Sequence, residues 1–289
     1  MKPTKGFFVQ IRSRHPSHDI IRDTIKLPFR SVARFGSTTR LTDPHTKNGT
    51  RVECNSVEAV TRSADKREMK TAFTQNNVVT ADWYTFVGTS FQQATAAEDG
   101  IVFKPIAQSA MEYPIVAKAR FGSRGTGNTL LKTAAEFTAW KRDKNMNEYI
   151  FEDFLNYNRE YRLHVTADGV FYTNRKMLKA DTPEDKRWYR NDSNCTWVLE
   201  ENKDFNKPAN WDNIVKESVK ALNAVGLDIG AVDVKVQSDK TESGKKRKEA
   251  KFFIIEINSA PSYGVRTAQE YAKQIPIVLT KKKASKLAK

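Results

Sequence analysis

The chain is poor in the residues that build stapled folds: among 289 residues only Cys54 and Cys195 are cysteines, far apart, and the four histidines are scattered. Neither a disulfide framework nor a cysteine-based zinc site is expected, so both thiols read as reduced in a cytoplasmic protein, with Cys54 in a core. Long apolar runs are missing as well. Nothing approaches the roughly 20 residues that span a bilayer, and Met1–Gln10 lacks the apolar stretch of a secretory signal, so a soluble protein that stays where it is made is expected. There is no tandem repeat; Ala-Arg-Phe-Gly-Ser occurs at Ala33–Ser37 and Ala119–Ser123 without flanking similarity, and coincidence accounts for it. Acidic residues are in deficit, with 34 Asp+Glu against 49 Lys+Arg and a formal charge of +15. That charge gathers anionic partners: nucleotides, nucleic acid or acidic polypeptides. Part of it lies in Lys245–Lys251 and in the tail 281–289, which read as solubilising segments because neither holds aromatic residues for base stacking.

What is present suffices for a core, at 39% hydrophobic, in one large or two to three small domains. Val57–Phe73 reads as one helix with Ser56 as N-cap. Asn76–Trp83 reads as extended and the stretch through Glu98–Gly100 as a connector, which places a first boundary near residue 90. Then follow a strand over Pro114–Lys118, a loop rich in Gly and Ser over Phe121–Asn128, and a helix over Thr129–Arg142. Tyr149–Leu155 is a strand, and Tyr161–Val165 with Val170–Met177 form a hairpin around Ala167-Asp168-Gly169. Trp211–Val225 is a helix stopped by Gly226. Ile229–Val236 and Phe252–Ile257 are strands, and Thr267–Gln274 is a short closing helix.

Side chains on a strand alternate faces, so Glu256 and Asn258 point together while Phe253, Ile255 and Ile257 face a core. On the preceding strand Asp233 opposes Val232, Val234 and Val236. Two carboxylates and one amide suit a hard divalent cation shared with substrate phosphates; strand-end carboxylates paired with lysines would look the same. Gly122–Asn128 after Lys118 has the make-up of a phosphate-cradling loop, or of a plain turn, and is neither a Walker A nor a dinucleotide motif. Glu152 and Asp153 stand in an apolar strand, where they either bind a nucleoside or serve as edge charges.

In this order the residues from about Asn55 to Gly264 resemble the ATP-grasp superfamily, and Glu256-Ile257-Asn258-Ser259-Ala260-Pro261 is similar to its Glu-x-Asn-x-x-Pro signature. The resemblance implies an α/β (α+β) chain: an N-terminal α/β domain (1–90), a central lobe with the glycine loop (91–155), a C-terminal lobe with the metal site (156–280) and a basic tail (281–289). Both lobes carry mainly antiparallel sheets that grip the nucleotide. It also implies ATP as cosubstrate and Mg²⁺, with Mn²⁺ as the alternative, held by Asp233, Glu256 and Asn258. Lys66, Lys118 and Lys176 would reach the phosphates, and Ser123, Gly125 and Gly127 would close over them. Glu152, Asp153 and Leu155 would form the adenine hinge, and Glu160 the ribose ligand.

The implied chemistry is acyl-phosphate formation and amide ligation between a carboxylate and an amine, on a peptide-like or acidic macromolecular substrate. Phosphate transfer to a hydroxyl, or nucleic-acid binding without catalysis, are the alternatives. Some members carry an arginine two residues before the metal Asp, where this chain has Ala231. Members similar to ribosomal-protein glutamate ligases place basic residues earlier, which leaves Arg162, Arg175, Lys176 and Arg190, with Arg175 and Arg190 preferred. Trp188–Asn194 lines an acceptor cleft or forms a surface loop, and His164 belongs to the hairpin strand.

Overall fold

The computed structural model describes residues 7–11, 19–21, 25, 31–40, 52–98, 100–122, 125–262 and 264–287. Strands β1 (Phe7–Ile11), β2 (Ser31–Phe35) and β3 (Val52–Cys54) pair in parallel in that order. The five residues of β2 are all buried, as a parallel sheet covered on both faces requires. Its cover is the helix α5 (Val265–Leu287), whose Ala268, Tyr271, Ile275 and Leu279 pack with Ala33, Phe35, Val52 and Cys54. The short helix read at 267–274 therefore continues through Pro276 to Leu287, and the segment read as a loose tail is helical as far as that residue. Lys281 and Lys282 in it pair with Asp168 and Asp228 at 2.6 and 2.7 Å.

Asn55 ties this sheet to the rest. Its amide nitrogen donates to the carbonyls of Arg34 (3.2 Å) and Ile229 (2.9 Å), and its Oδ1 accepts from the backbone of Asp228 and Ile229. It does so from a left-handed φ of 60°, a conformation asparagine tolerates better than most residues. Asn55→Ala is expected to cost about 2–3 kcal/mol, because buried backbone groups lose their partner. Urea unfolding should show it as a lowered midpoint at unchanged slope.

The single helix read over 57–73 is two. Ser56 caps α1 (Val57–Ala64) through Ala59 N, but Asp65, at φ −93° and ψ 112°, leaves helical geometry and caps α2 (Lys66–Gln75) through Arg67 N. The break turns Lys66 toward the centre of the molecule. The six-stranded antiparallel sheet that follows contains β4 (Trp83–Val87), β5 (Ser90–Ala97), β6 (Gly100–Ile106), β7 (Ile115–Ala119), β8 (Thr129–Leu131) and β9 (Tyr149–Asp153), in the order β6-β5-β4-β9-β7-β8. β5 and β6 pair from Phe91 with Ile106 to Ala97 with Gly100, so the presumed connector is a hairpin link, and strands from both sides of residue 90 share one sheet. Leu130 and Leu131, expected in a helix, pair with Val116 and Ile115 instead; the helix α3 (Ala134–Trp140) starts only after the Thr133 cap.

The five-stranded antiparallel sheet has the order β12-β11-β10-β13-β14, from β10 (Arg159–Thr166), β11 (Gly169–Leu178), β12 (Cys195–Leu199), β13 (Ile229–Val236) and β14 (Phe252–Asn258). Helix α4 (Trp211–Val225) packs on its inner face, where Ile214 and Leu222 join Tyr161, Leu163, Val232 and Val234 in the main core. Gly226 ends that helix at φ 78°, a left-handed cap that a side chain would strain.

Candidate active site

Every residue of β10 is buried, although its sequence alternates charged and apolar. Tyr161, Leu163 and Val165 face the core, which turns Glu160, Arg162 and His164 to the other side of the sheet. The register supplies their neighbours: Lys176 and Lys235 flank Glu160, Asp233 lies opposite Arg162, Glu256 opposite Asp233, and Asn258 opposite Ala231. Arg162 grips Asp233 in a two-pronged pair, Nε to Oδ1 at 2.7 Å and NH2 to Oδ2 at 2.8 Å. Lys176 donates to the same Oδ2 at 2.8 Å and to Glu160 Oε1 at 2.7 Å. Both cations lie under the Trp197 ring, at 4.9 and 5.5 Å from its centroid. Burial would raise the Asp233 carboxyl, but Arg162 and Lys176 outweigh it and hold it well below the usual carboxylate range. His164 is no acid or base here: burial pushes its imidazole down to about 3, and Nδ1 meets Tyr271 OH at 3.0 Å.

The expected alternation on β14 is broken. Asp233 pairs with Glu256 and Val234 with Ile254, so Ile255 is the extra residue of a β-bulge. Ile254 and Ile257 enter the core, whereas Phe253 packs against the Tyr157 ring at 5.8 Å and Ile255 lines the cleft. Glu256 and Asn258 keep their common face, with Asn258 Nδ2 donating to Glu256 Oε1 at 3.0 Å.

The opposite wall comes from α2 and the six-stranded sheet. Glu152 is met by Lys118 at 2.6 Å and by Lys70 at 3.2 Å. Its burial alone would raise the carboxyl; the two lysines pull it below its ordinary value. Lys70, one helical turn after Lys66, is fully buried, and desolvation lowers its ammonium to about 8 although Glu152 opposes the shift. Lys66 Nζ donates to Gly122 O at 2.6 Å, and Arg120 at the end of the same strand system pairs with Asp65, so the base of the glycine loop is tied to the α1/α2 break. A Cβ on Gly122 would stand 2.6 Å from Thr126 O, so that position needs glycine. Ser123 lies outside the described residues. Asp153 lines the cleft next to Glu152, but its Oδ1 accepts from Tyr84 OH at 3.1 Å, and burial lifts it to about 6.

Between the walls run two connected clefts. One is lined by Val116, Lys118, Glu152, Leu155, Glu160 and Ile255. The other, ≈ 470 Å³, holds Lys66, Arg162, Lys176, Trp197, Asn258 and Ser262. Gly125, Arg190 and Glu256 border both. The structure thus brings together Lys66, Lys118, Gly125, Glu152, Asp153, Leu155, Glu160, Arg162, Lys176, Arg190, Glu256 and Asn258, with Asp233 beneath them. Gly127, further along the glycine loop, lines neither cleft.

Arg175 does not join them. It pairs in register with Tyr161, on the face opposite Lys176, and donates to Asp204 O at 2.6 Å. Lys70 and Lys235 are the members that the sequence did not single out. Lys235 shares the parity of Asp233 on β13; it donates to Leu155 O (3.2 Å) and Trp188 O (3.4 Å), and burial lowers it to about 8.

No family model matches the chain, and no curated protein matches it in sequence. Solved structures do. A D-alanine–D-alanine ligase from Bacillus anthracis, complexed with ATP, superposes with a TM-score of 0.57 at 10% identity, over 97% of this chain and 97% of its own. A second structure of that ligase gives 0.56 at 11% identity, over 97% and 95%. A RimK domain ATP-grasp protein from Sphaerobacter thermophilus gives 0.54 at 11%, over 95% and 99%. Likeness of this kind over nearly the whole length identifies the fold: two antiparallel sheets around a charged cleft, behind an N-terminal parallel sheet, are an ATP-grasp fold.

Proposed function

We propose that the chain is an ADP-forming carboxylate–amine ligase that works on Mg²⁺-ATP. The observation that supports this most is the continuity of the two clefts across Gly125, Arg190 and Glu256, which sets a narrow slot of ≈ 110 Å³ lined by Lys118, Glu152 and Glu160 beside a second, cation-lined chamber of ≈ 470 Å³. In this reading the base lies between Leu155 and Ile255 with Glu152 at its edge, and Glu160 takes the ribose hydroxyls. Lys66, Lys118 and Lys176 neutralise the phosphates under the Ser123–Gly127 loop.

Glu256 and Asn258 offer oxygen donors on one face of β14 that fit a hard divalent ion, and the amide adds no third negative charge; Asp233, paired with Glu256 in register, joins them by exchanging Arg162 or Lys176 for the ion, since those two hold both of its oxygens. Mg²⁺, or Mn²⁺ in its place, would supply Lewis-acid neutralisation of the phosphoryl oxygens. A substrate carboxylate oxygen attacks the γ-phosphorus, the bond to the β,γ-bridging oxygen breaks, and ADP leaves. The amine then attacks the acyl carbon, inorganic phosphate departs, and the surplus amine proton passes to solvent. The chain contributes alignment and charge, with Arg162 and Arg190 in the chamber where the acyl phosphate forms.

Phosphorus NMR on the chain with ATP and pooled carboxylate and amine substrates tests the reading. ADP and free phosphate in step with a condensation product support it; label retained on an organic product would make the chain a phosphotransferase. Glu256→Ala is expected to slow ADP release at least tenfold while changing stability by less than about 1 kcal/mol, since Asn258 is the partner it loses.

A further inference from the structure

Past the base end of the nucleotide slot lies another pocket, of ≈ 330 Å³, which shares Phe154, Leu155, Trp188, Arg190 and Lys235 with it. Its charge is one-sided: Arg175, Arg187, Arg190 and Lys235 line it, and no Asp or Glu does among the described residues. The guanidiniums donate their hydrogen bonds to carbonyls, which orient them without neutralising them: Arg175 to Asp204 O at 2.6 Å, Arg190 to Asn158 O at 2.8 Å, Arg187 to Thr182 O at 3.2 Å. The Nε atoms of Arg175 and Arg190 are buried and have no hydrogen-bond partner among the described residues.

Nearby carboxylates do little to relieve this. Glu160 Oε2 stands 4.0 Å from Arg190 and is committed to Lys176 through its other oxygen, and Glu184 is 3.7 Å from Arg187 at the exposed rim. Burial holds the Arg175 guanidinium below its ordinary value, with the Arg159 and Arg190 charges adding to the shift and Tyr161 and Asp239 opposing it. Like charges gathered in a partly desolvated pocket are costly unless an anion joins them.

Aromatic faces line the same pocket: Trp188, Tyr157 and Phe154, the last under the Lys235 ammonium at 5.3 Å. Burial raises the Tyr157 phenol and the Arg247 charge lowers it. An acidic polypeptide would satisfy the guanidiniums but has no use for the aromatic faces, whereas bases stack on them.

We propose that this pocket binds single-stranded nucleic acid, with phosphodiester oxygens on Arg175 and Arg187 and a base against Trp188 or Tyr157. The proposal stands apart from the ligase reading and needs no turnover to test. Fluorescence anisotropy of the full chain with labelled oligouridylate and oligodeoxythymidylate is expected to show binding that weakens linearly in log[salt]. Arg175→Gln and Arg187→Gln should each weaken it about tenfold and reduce the salt slope by about 0.7. The ATP-induced thermal shift of Arg187→Gln should match that of the unmodified chain.

Arg175 packs over the Tyr161 ring, so if its variant does not fold, the exposed Arg187 decides. Absence of oligonucleotide binding at low salt, or unchanged affinity in a folded Arg187→Gln, overturns the proposal. Equal competition by poly-L-glutamate at matched charge also overturns it, in favour of an acidic-peptide groove.

Discussion

Asp233→Ala is expected to destabilise the chain by about 3–5 kcal/mol, because it leaves Arg162 and Lys176 buried without the carboxylate that both share. The lost Coulomb attraction is the smaller part of that cost. The larger part is that two cations, already stripped of water under Trp197, keep their desolvation penalty with nothing to offset it. Calorimetry should record a fall in Tm on the order of 10 °C. Asp233→Asn keeps the shape and one carbonyl acceptor, so it should cost about half as much. Both variants should reduce nucleotide-dependent ADP release about a hundredfold, since neither supplies the charge that the proposed ion requires. Asp233→Asn therefore separates function from folding.

The same cluster sets a pH dependence. The fold holds Asp233 and Glu152 below their ordinary values, so on acidification the unfolded chain takes up protons before the folded one does. Their stabilisation is complete above the ordinary carboxylate range, near pH 4, and is lost as pH falls through the lower folded values. Acid unfolding monitored by circular dichroism should begin below about pH 4 and should start from a lower baseline in Asp233→Asn.

How much of this was legible depended on where periodicity survived. Asp233, Glu256 and Asn258 could be read because period-two alternation on β13 and β14 holds as far as they extend, and Gly226 because a left-handed cap demands it. One step further along β14 the bulge shifts the phase, so Ile255 changed sides unannounced. Arg175 and Lys176 are adjacent on one strand and could never share a face; the partner of Glu160 in register settles which one enters the cleft. Parity with Asp233 would also have pointed to Lys235. Lys70 gave less warning, since a lysine one turn from Lys66 is unremarkable among 49 Lys+Arg, and only the seating of α2 on the six-stranded sheet, at β5 and β6, commits it to Glu152. The long α5 was hidden by Pro276 in its interior and by a run of lysines that resembled a solvated tail.

Glu152→Ala should produce the second large loss, again about 3–5 kcal/mol, and its origin can be isolated. Lys70 is 0% exposed and meets Glu152 at 3.2 Å, with Thr80 as its other hydrogen-bond partner; Lys118 retains 13% side-chain exposure and can turn to water. The group that cannot reach water is therefore Lys70, which without Glu152 stays buried as an unpaired charge or gives up its proton. Lys70→Met in the Glu152→Ala background removes that charge and fills the space with a flexible apolar chain, so the double variant should regain about 2 kcal/mol over Glu152→Ala alone. Lys118→Met in the same background should regain less than about 0.5 kcal/mol, since an exposed ammonium is already hydrated. Urea unfolding of six chains, with the Lys70→Met and Lys118→Met single variants included, measures both couplings. Equal recovery from the two lysine variants would mean that the cleft wall stays dry around Lys118 as well, and that a ligand entering the cleft must displace a fully desolvated ion pair.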